Sequence, residues 1–327
     1  MSAHTTSRSE WLQLDAAREA DRIAAAIRQQ VQRTLKRRGV VLGLSGGIDS
    51  SVCAALCVRA LSPHRVLGLL MPEADSAQES TELGGLVGTH LGIRTTLENI
   101  TPILDAAGCY SRRDEAIRSV VPTYGAGYKS KLVLPATLDG RYKLFSIVVE
   151  SPEGTQTRVR LTADAYLSIV AATNFKQRVR KMMEYHYADR YRYGVVGTPN
   201  RLEYDQGFFV KNGDGAADLK PIAHLYKTQV YQLAEFLGIP DEVRRRPPTT
   251  DTFSLPQSQE EFYFSVSHET LDLCLYGLNN SIPALDVAAK TGLTPEQVRQ
   301  VYDDIESKRQ ATSYLHAAAL VVEQDSV

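Results

Sequence analysis

Hydrophobic positions along this chain fall into two alternating patterns, and the alternation predicts the architecture. From Glu10 to about Arg38, residues Leu12, Leu14, Ala17, Ile23, Ala24, Ile27, Val31 and Leu35 recur at three- and four-residue steps with charges between them. That is the spacing of one buried helix face. Lys36, Arg37 and Arg38 followed by Gly39 read as a basic last turn and a glycine cap. The pattern then changes. Val40 to Leu44 is apolar without alternation, as in a strand buried on both faces. Beyond Gly46 and Gly47, the small and apolar residues Val52 to Val58 read as a buried helix. Arg65 to Pro72 is a second strand, Glu79 to His90 a helix, and Gly92 to Glu98 a third, short strand. Strands alternating with helices predict an α/β fold, a doubly wound parallel sheet flanked by helices. In such sheets the ligand lies beyond the carboxyl ends of the strands.

Residues 105–172 carry the weakest periodicity. Val121 to Ser130 reads as a mobile loop. Arg141 to Val149 and Thr157 to Leu161 alternate, with Pro152, Glu153 and Gly154 between them, which predicts a β-hairpin. Regular patterning resumes with a helix from Asn174 to about Tyr191 and a buried strand from Tyr193 to Thr198. Gln206 to Gly215 is glycine-rich and suits a site-lining loop. Leu225 to Leu237 is an amphipathic helix capped by Gly238, and Arg246 to Asp251 is an extended turn. Helices fill the remainder. Thr294-Pro295-Glu296-Gln297 is a helix start, with Thr as N-cap, Pro in the first turn and Gln as capping-box partner. The expected organisation is a disordered polar segment, 1–9, and one domain, 10–327, with an insertion at about 120–165.

Composition narrows the class. The 327 residues are 43% hydrophobic and 23% charged, with a formal net charge of −1. No bulk positive field favours nucleic acid, so none is expected as partner. No apolar run is long enough for a membrane span, and the first residues lack a signal peptide's apolar core. The four cysteines form no CxxC pair, so neither zinc nor a disulfide framework is expected. The expected compartment is the reducing cytoplasm.

The chemistry begins at Gly43-Leu44-Ser45-Gly46-Gly47-Ile48-Asp49-Ser50. A strand, a glycine turn and a helix N-terminus present unpaired backbone N–H groups and a partial positive charge to an anion. Serine hydroxyls add donors, and Asp49 suits a divalent cation. No lysine follows the glycines, so this is not a Walker loop. The SGGxDS pattern resembles the PP-loop of the ATP pyrophosphatases, which cleave ATP between its α and β phosphates.

The longer match lies downstream. Gly194-Val195-Val196-Gly197-Thr198-Pro199-Asn200-Arg201-Leu202-Glu203, Gly207 to Ile222 and Leu225-Tyr226-Lys227-Thr228-Gln229-Val230 resemble the ammonia-dependent NAD synthetases, as does Asn174-Phe175-Lys176-Gln177-Arg178-Val179-Arg180-Lys181-Met182. The resemblance runs from about residue 20 to about 312. It implies an adenine nucleotide alpha hydrolase-like fold and ATP-dependent amidation of deamido-NAD through an acyl-adenylate, with AMP and pyrophosphate released. By the same match, Gly43 to Ser50, Thr198, Lys227 and Thr249 contact ATP. Asp49 and Glu203 hold Mg²⁺, and Asp49 and Lys227 carry the catalysis. Arg178, Lys211, Asp218 and Lys308 contact deamido-NAD. A homodimer is implied, with ammonia supplied free or by a separate glutaminase.

The sequence departs from the family at Pro199, at Leu255 to Glu261 and at Ser307-Lys308, besides the insertion. Two rival readings therefore stay open: the same chemistry on another carboxylate, or a non-catalytic nucleotide-binding homologue.

Overall fold

The computed structural model describes residues 10–133, 145–250, 252–264 and 266–322. The expected disorder of residues 1–9, the hairpin run Arg141 to Leu144 and the turn residue Asp251 lie outside them. In chain order the elements are α1 (Ala16–Gln29), β1 (Val40–Gly43), α2 (Ile48–Leu61), β2 (Val66–Leu70), α3 (Gln78–His90), β3 (Arg94–Leu97), α4 (Thr101–Ala106) and α5 (Cys109–Arg118). Then follow β4 (Lys129–Val133), β5 (Ser146–Glu150), β6 (Gln156–Arg160), α6 (Ala163–Tyr191), β7 (Gly194–Val195), α7 (Arg201–Gln206) and α8 (Lys227–Phe236). The C-terminal part holds α9 (Asp241–Arg245), α10 (His268–Asn279), α11 (Ala284–Thr291) and α12 (Pro295–His316).

The main sheet is parallel, in the order β3-β2-β1-β7. Period-two geometry divides each strand between two cores. Val40, Leu42, Val66 and Leu70 pack with α1, α2, α3 and α8. Val41, Leu67, Leu69 and Val195 pack with α4, α5 and α6. Helices on both faces explain why these strands read as unbroken apolar runs. The chain steps from β1 to β2 to β3 in one direction, then returns to place β7 on the other side of β1. That reversal makes the carboxyl ends of β1 and β7 the switch point, where a crevice opens.

Several local expectations are corrected. The first helix does not begin at Glu10. A short turn, Glu10–Leu12, precedes it, and Asp15 starts α1 by accepting the Arg18 N–H at 3.0 Å. It continues past Gln29 as a π-helical turn, Gln30–Thr34, with Leu35 as the C-cap and Lys36 just beyond it at φ 52°, so the end is not capped by Gly39. Gly39 is needed for close approach, since a Cβ there would lie 2.3 Å from the Arg65 carbonyl oxygen. Val121 to Ser130 is not wholly a loop, because β4 starts at Lys129 and pairs antiparallel with β5. The predicted hairpin is present as β5 and β6, and β4 makes it a three-stranded sheet.

The helix expected at Asn174 begins at Ala163, with Thr162 as its N-cap. Its first turns, Ala165 and Ile169, bury against the small sheet; its later turns, Val179, Tyr187 and Ala188, bury against the main one. A helix that changes partner along its length shows no single stripe, which is why its first half was unreadable. No helix among the described residues is long and apolar enough to cross a membrane.

Candidate active site

The loop after β1 lies at the switch point. Gly46 adopts φ 72°, and a Cβ there would sit 2.6 Å from the Ser80 carbonyl oxygen, so α3 packs directly on the loop. Gly47 caps α2 without a side-chain hydrogen bond, which leaves the first N–H groups of this helix for a ligand. Ser45 and Ser50 hydroxyls lie 3.1 Å apart, and the Ser50 hydroxyl donates to the Gly47 carbonyl at 3.0 Å. These contacts fix the loop before any phosphate arrives.

Beyond β7, Asn200 is the N-cap of α7, and Glu203 is its capping-box partner. The Asn200 Nδ2 donates to Asp49 Oδ1 at 3.1 Å, and its Oδ1 accepts the Glu203 N–H at 3.3 Å. Glu203 Oε2 accepts the Asn200 N–H at 3.1 Å, and Glu203 Oε1 accepts from Gln259 Nε2 at 3.0 Å. Lys227, at the start of α8, is 2% exposed and is paired with Asp49 Oδ2. Burial pushes the Glu203 carboxyl well above the usual carboxylate range, and the charge of Asp49 pushes it further. Burial pulls the Lys227 ammonium down, but Asp49 and Glu203 outweigh it and lift Lys227 above the ordinary lysine value. The lysine is therefore a fixed cation.

Asp49, Glu203 and Lys227, separated by up to 178 positions, thus share one corner. It opens into a cavity of about 680 Å³. Thr198 and Thr249 line this cavity, as do Ser45, Gly47, Ile48 and Ser50. Gly43 and Leu44 line an adjoining cavity of about 160 Å³ that shares Ser45, Ser50 and Thr198. Gly46 lines neither; its part is conformational.

Three of the four expected substrate contacts reach the main cavity. Arg178 Nε donates to the Lys211 carbonyl at 3.3 Å, and Lys211 Nζ donates to the Tyr314 carbonyl at 2.7 Å. Lys308 pairs with Asp304 at 2.8 Å and donates to the Tyr263 carbonyl at 2.6 Å. Asp218 is not brought there: its Oδ2 accepts the Val195 N–H at 2.8 Å, holding β7 in place.

Two further residues, Asn200 and Gln259, belong to this corner beyond those expected from the sequence. The Asn200-x-x-Glu203 spacing is itself a capping-box pattern, so Asn200 was recoverable from sequence. Gln259 was not. Its loop folds back on itself, with the Gln259 N–H donating to the Pro248 carbonyl at 3.3 Å and the Thr250 N–H to the Gln257 carbonyl at 3.2 Å. Only that fold carries Gln259 to Glu203.

The donor set suits a hard divalent cation. Two carboxylates face a common corner; Glu203 is raised first by burial and then by the charge of Asp49, and a bound cation would offset the second of these. No group of three or more His, Cys, Asp or Glu among the described residues is placed to hold a metal. Phosphate oxygens and water would complete the shell, as Mg²⁺ commonly requires.

The sequence model of the NAD synthase family matches residues 19–120 and 141–312. The chain belongs to the NAD synthase family. The NH3-dependent NAD synthetase of Rhizobium rhizogenes is 56% identical over 324 residues, 99% of this chain and 98% of that protein. That of Mesorhizobium japonicum is 59% identical over 311 residues, 95% of this chain and 98% of that protein. The fold is shared with NMN synthetase from Francisella tularensis, at a TM-score of 0.66 and 20% identity, covering 95% of this chain and 100% of that one. It is shared too with the NH3-dependent NAD synthetase of Campylobacter jejuni, at a TM-score of 0.62 and 23% identity, with the same coverage. The family model passes over residues 121–140, the segment that holds β4.

Proposed function

We infer that this chain is an ammonia-dependent NAD synthetase: it activates the nicotinate carboxylate of deamido-NAD with ATP and gives the acyl carbon to ammonia. The observation that carries the reading is the meeting of Asp49, Glu203 and Lys227 at the N-terminus of α2. Near-full-length identity to NH3-dependent NAD synthetases supports it.

In this reading Asp49 and Glu203 hold Mg²⁺, which when bound offsets the charge on the ATP phosphates. The N–H groups of α2 and the hydroxyls of Ser45 and Ser50 hold the β and γ phosphates. Thr198 and Thr249 contact the nucleotide. Lys227 donates to the phosphate that gains charge as the carboxylate oxygen attacks Pα and the Pα–O bond to pyrophosphate breaks. Positioning and electrostatics of this kind supply most of the rate in phosphate transfer. Arg178, Lys211 and Lys308 line the wall where the anionic dinucleotide lies. Ammonia then attacks the acyl carbon of the adenylate, AMP leaves with the electron pair of the broken C–O bond, and the nitrogen gives up one proton to solvent as the amide forms.

The test is direct. ATP, ammonia and deamido-NAD should give NAD, AMP and pyrophosphate in equal amounts. D49A should abolish ATP–pyrophosphate exchange; because it also leaves the buried Lys227 ammonium without its partner, its unfolding temperature should fall, and circular dichroism at the assay temperature checks that it is folded. A folded, ATP-binding preparation that ignores deamido-NAD but exchanges pyrophosphate with another carboxylate would overturn the substrate assignment. Normal exchange by D49A would overturn the metal assignment.

A further inference from the structure

The small sheet β4-β5-β6 turns one edge toward the site. β4 is the outer strand of that sheet, with β5 as its neighbour. An outer strand leaves alternate N–H and C=O groups unpaired, and such an edge is a template for further chain. Here residues 254–257 occupy it. The Ser130 N–H donates to the Ser254 hydroxyl at 2.9 Å, and the Leu255 N–H donates to the Ser130 carbonyl at 3.2 Å. The Gln257 side-chain amide donates to the Leu132 carbonyl. Ser130 and Gln257 are buried, and Phe253 packs in the same cluster as Leu132 and Ile147.

Lys131 adds a clasp. Its ammonium donates to the Pro256 carbonyl at 3.2 Å and pairs with Glu261 at 2.8 Å. These two anchors lie on either side of Gln259, whose side chain meets Glu203 at 3.0 Å. The Gln259 N–H is held as well, by the Pro248 carbonyl at 3.3 Å. A side-chain amide on a turn with both ends fixed has little freedom to drift from the carboxylate it meets. The turn lies within the residues that the family model matches, 141–312, whereas β4 lies in the stretch 121–140 that it passes over. The clasp therefore belongs to the insertion and not to the matched scaffold.

We propose that β4 sets the position of the site loop 254–261, and that Lys131 is a positioning residue that acts on Glu203 through Gln259. The inference rests on the reading that Glu203 is a Mg²⁺ ligand. Mg²⁺ demands near-ideal ligand geometry, so a carboxylate that is to hold it must be correctly aimed. Glu203 Oε2 is tethered by the Asn200 N–H, from within its own helix turn, and Oε1 by Gln259, from the loop. The first tether comes with α7. The second is in place only while the loop stays docked on β4.

Amide hydrogen exchange of the ligand-free full chain and Mg²⁺-dependent ATP binding test this, and neither needs a carboxylate substrate. K131M keeps the stem of the side chain and leaves unpaired only the partly exposed Glu261, so it should fold. Its residues 254–261 should exchange about tenfold faster than in the parent. The Mg²⁺ concentration for half-maximal ATP binding should rise about threefold. K131R keeps a cation within reach of both anchors and should bring each value to within about twofold of the parent. Q259L cuts the link to Glu203 and should raise the Mg²⁺ requirement about tenfold. Adding K131M to Q259L should raise it no further, whereas a general loosening of the fold would add in full. S254A removes the acceptor of the Ser130 N–H, should act in the same direction as K131M, and decides the matter if K131M does not fold. Unchanged hydrogen exchange in K131M, full additivity with Q259L, or faster exchange with an unchanged Mg²⁺ requirement would overturn the proposal. A parent whose ATP binding ignores Mg²⁺ would overturn the metal assignment and this inference with it; a Mg²⁺-dependent parent matched by K131M would overturn this inference alone.

Discussion

The side-chain amide of Asn200 joins the two carboxylates on which the site depends. It caps α7 through Oδ1 and holds Asp49 through Nδ2, and it is 1% exposed. These two duties are separable by substitution. Asn200→Ser keeps a good N-cap but is too short to reach Asp49, so stability should change by less than ~0.5 kcal/mol. Adenylate formation should fall about tenfold, the worth of one charge-assisted hydrogen bond of ~1.5 kcal/mol. Denaturant titration and ATP–pyrophosphate exchange measure the two quantities independently. A loss of stability with exchange unchanged would reverse the assignment. Lys227 illustrates the other residue-scale lesson. It sits at a first-turn helix position, where a lysine reads from sequence as a solvated side chain, yet it is buried against Asp49 because the strand order brings α8 beside α2.

At the scale of elements, α6 is the member that ties the domain together. Lys176 projects from its middle and is 1% exposed. Its ammonium donates to Glu73 at 2.9 Å, to Asp75 at 2.6 Å and to the Thr252 carbonyl at 2.7 Å. Arg113 of α5 also pairs with Asp75, and the Tyr110 hydroxyl donates to Glu73 at 2.8 Å. One lysine thus fastens the segment after β2, helix α5 and the loop that carries Thr249. Lys176→Met removes the ammonium but leaves Glu73 buried, so it should cost about 3–5 kcal/mol. Equilibrium unfolding in urea measures this, and a change below 1 kcal/mol would show that the network relaxes. The small sheet β4-β5-β6 is held against the same helix through Leu132, Ile147 and Ile169. Leu132 and Phe145 also line the main cavity, so the inserted segment forms part of the site wall.

At the scale of the whole molecule, four hydrophobic clusters among the described residues divide the work. One lies on each face of the main sheet, one lies beneath the small sheet, and one joins α10, α11 and α12 to Leu12 and Leu202. The site lies where these units meet: β1 and β7 supply the loop and the acids, α8 the lysine, α6 an arginine and α12 Lys308. A wall assembled from separate units is sensitive to assembly. The family resemblance implies a homodimer, and we propose one here. Light scattering at working concentration should give twice the mass of the 36.1 kDa chain, and a monomer that remains fully active would remove the proposal.

The sequence by itself determined whatever is encoded over a few adjacent residues. The apolar runs of β1 and β2, the glycine turn before α2, the Thr294 cap and the β5–β6 hairpin need only local periodicity and turn chemistry, and each is present. The family match added roles at distant positions, without their geometry. Only the tertiary structure decided which distant groups touch. The Asp49–Lys227 pair, the approach of Gln259 to Glu203 and the placement of Asp218 behind β7 depend on strand order and on a loop folding back on itself. So does the first half of α6, a helix that packs on two different sheets in succession. Periodicity reports burial against one surface, and where a segment serves two surfaces the physical cause of its structure lies outside its own sequence.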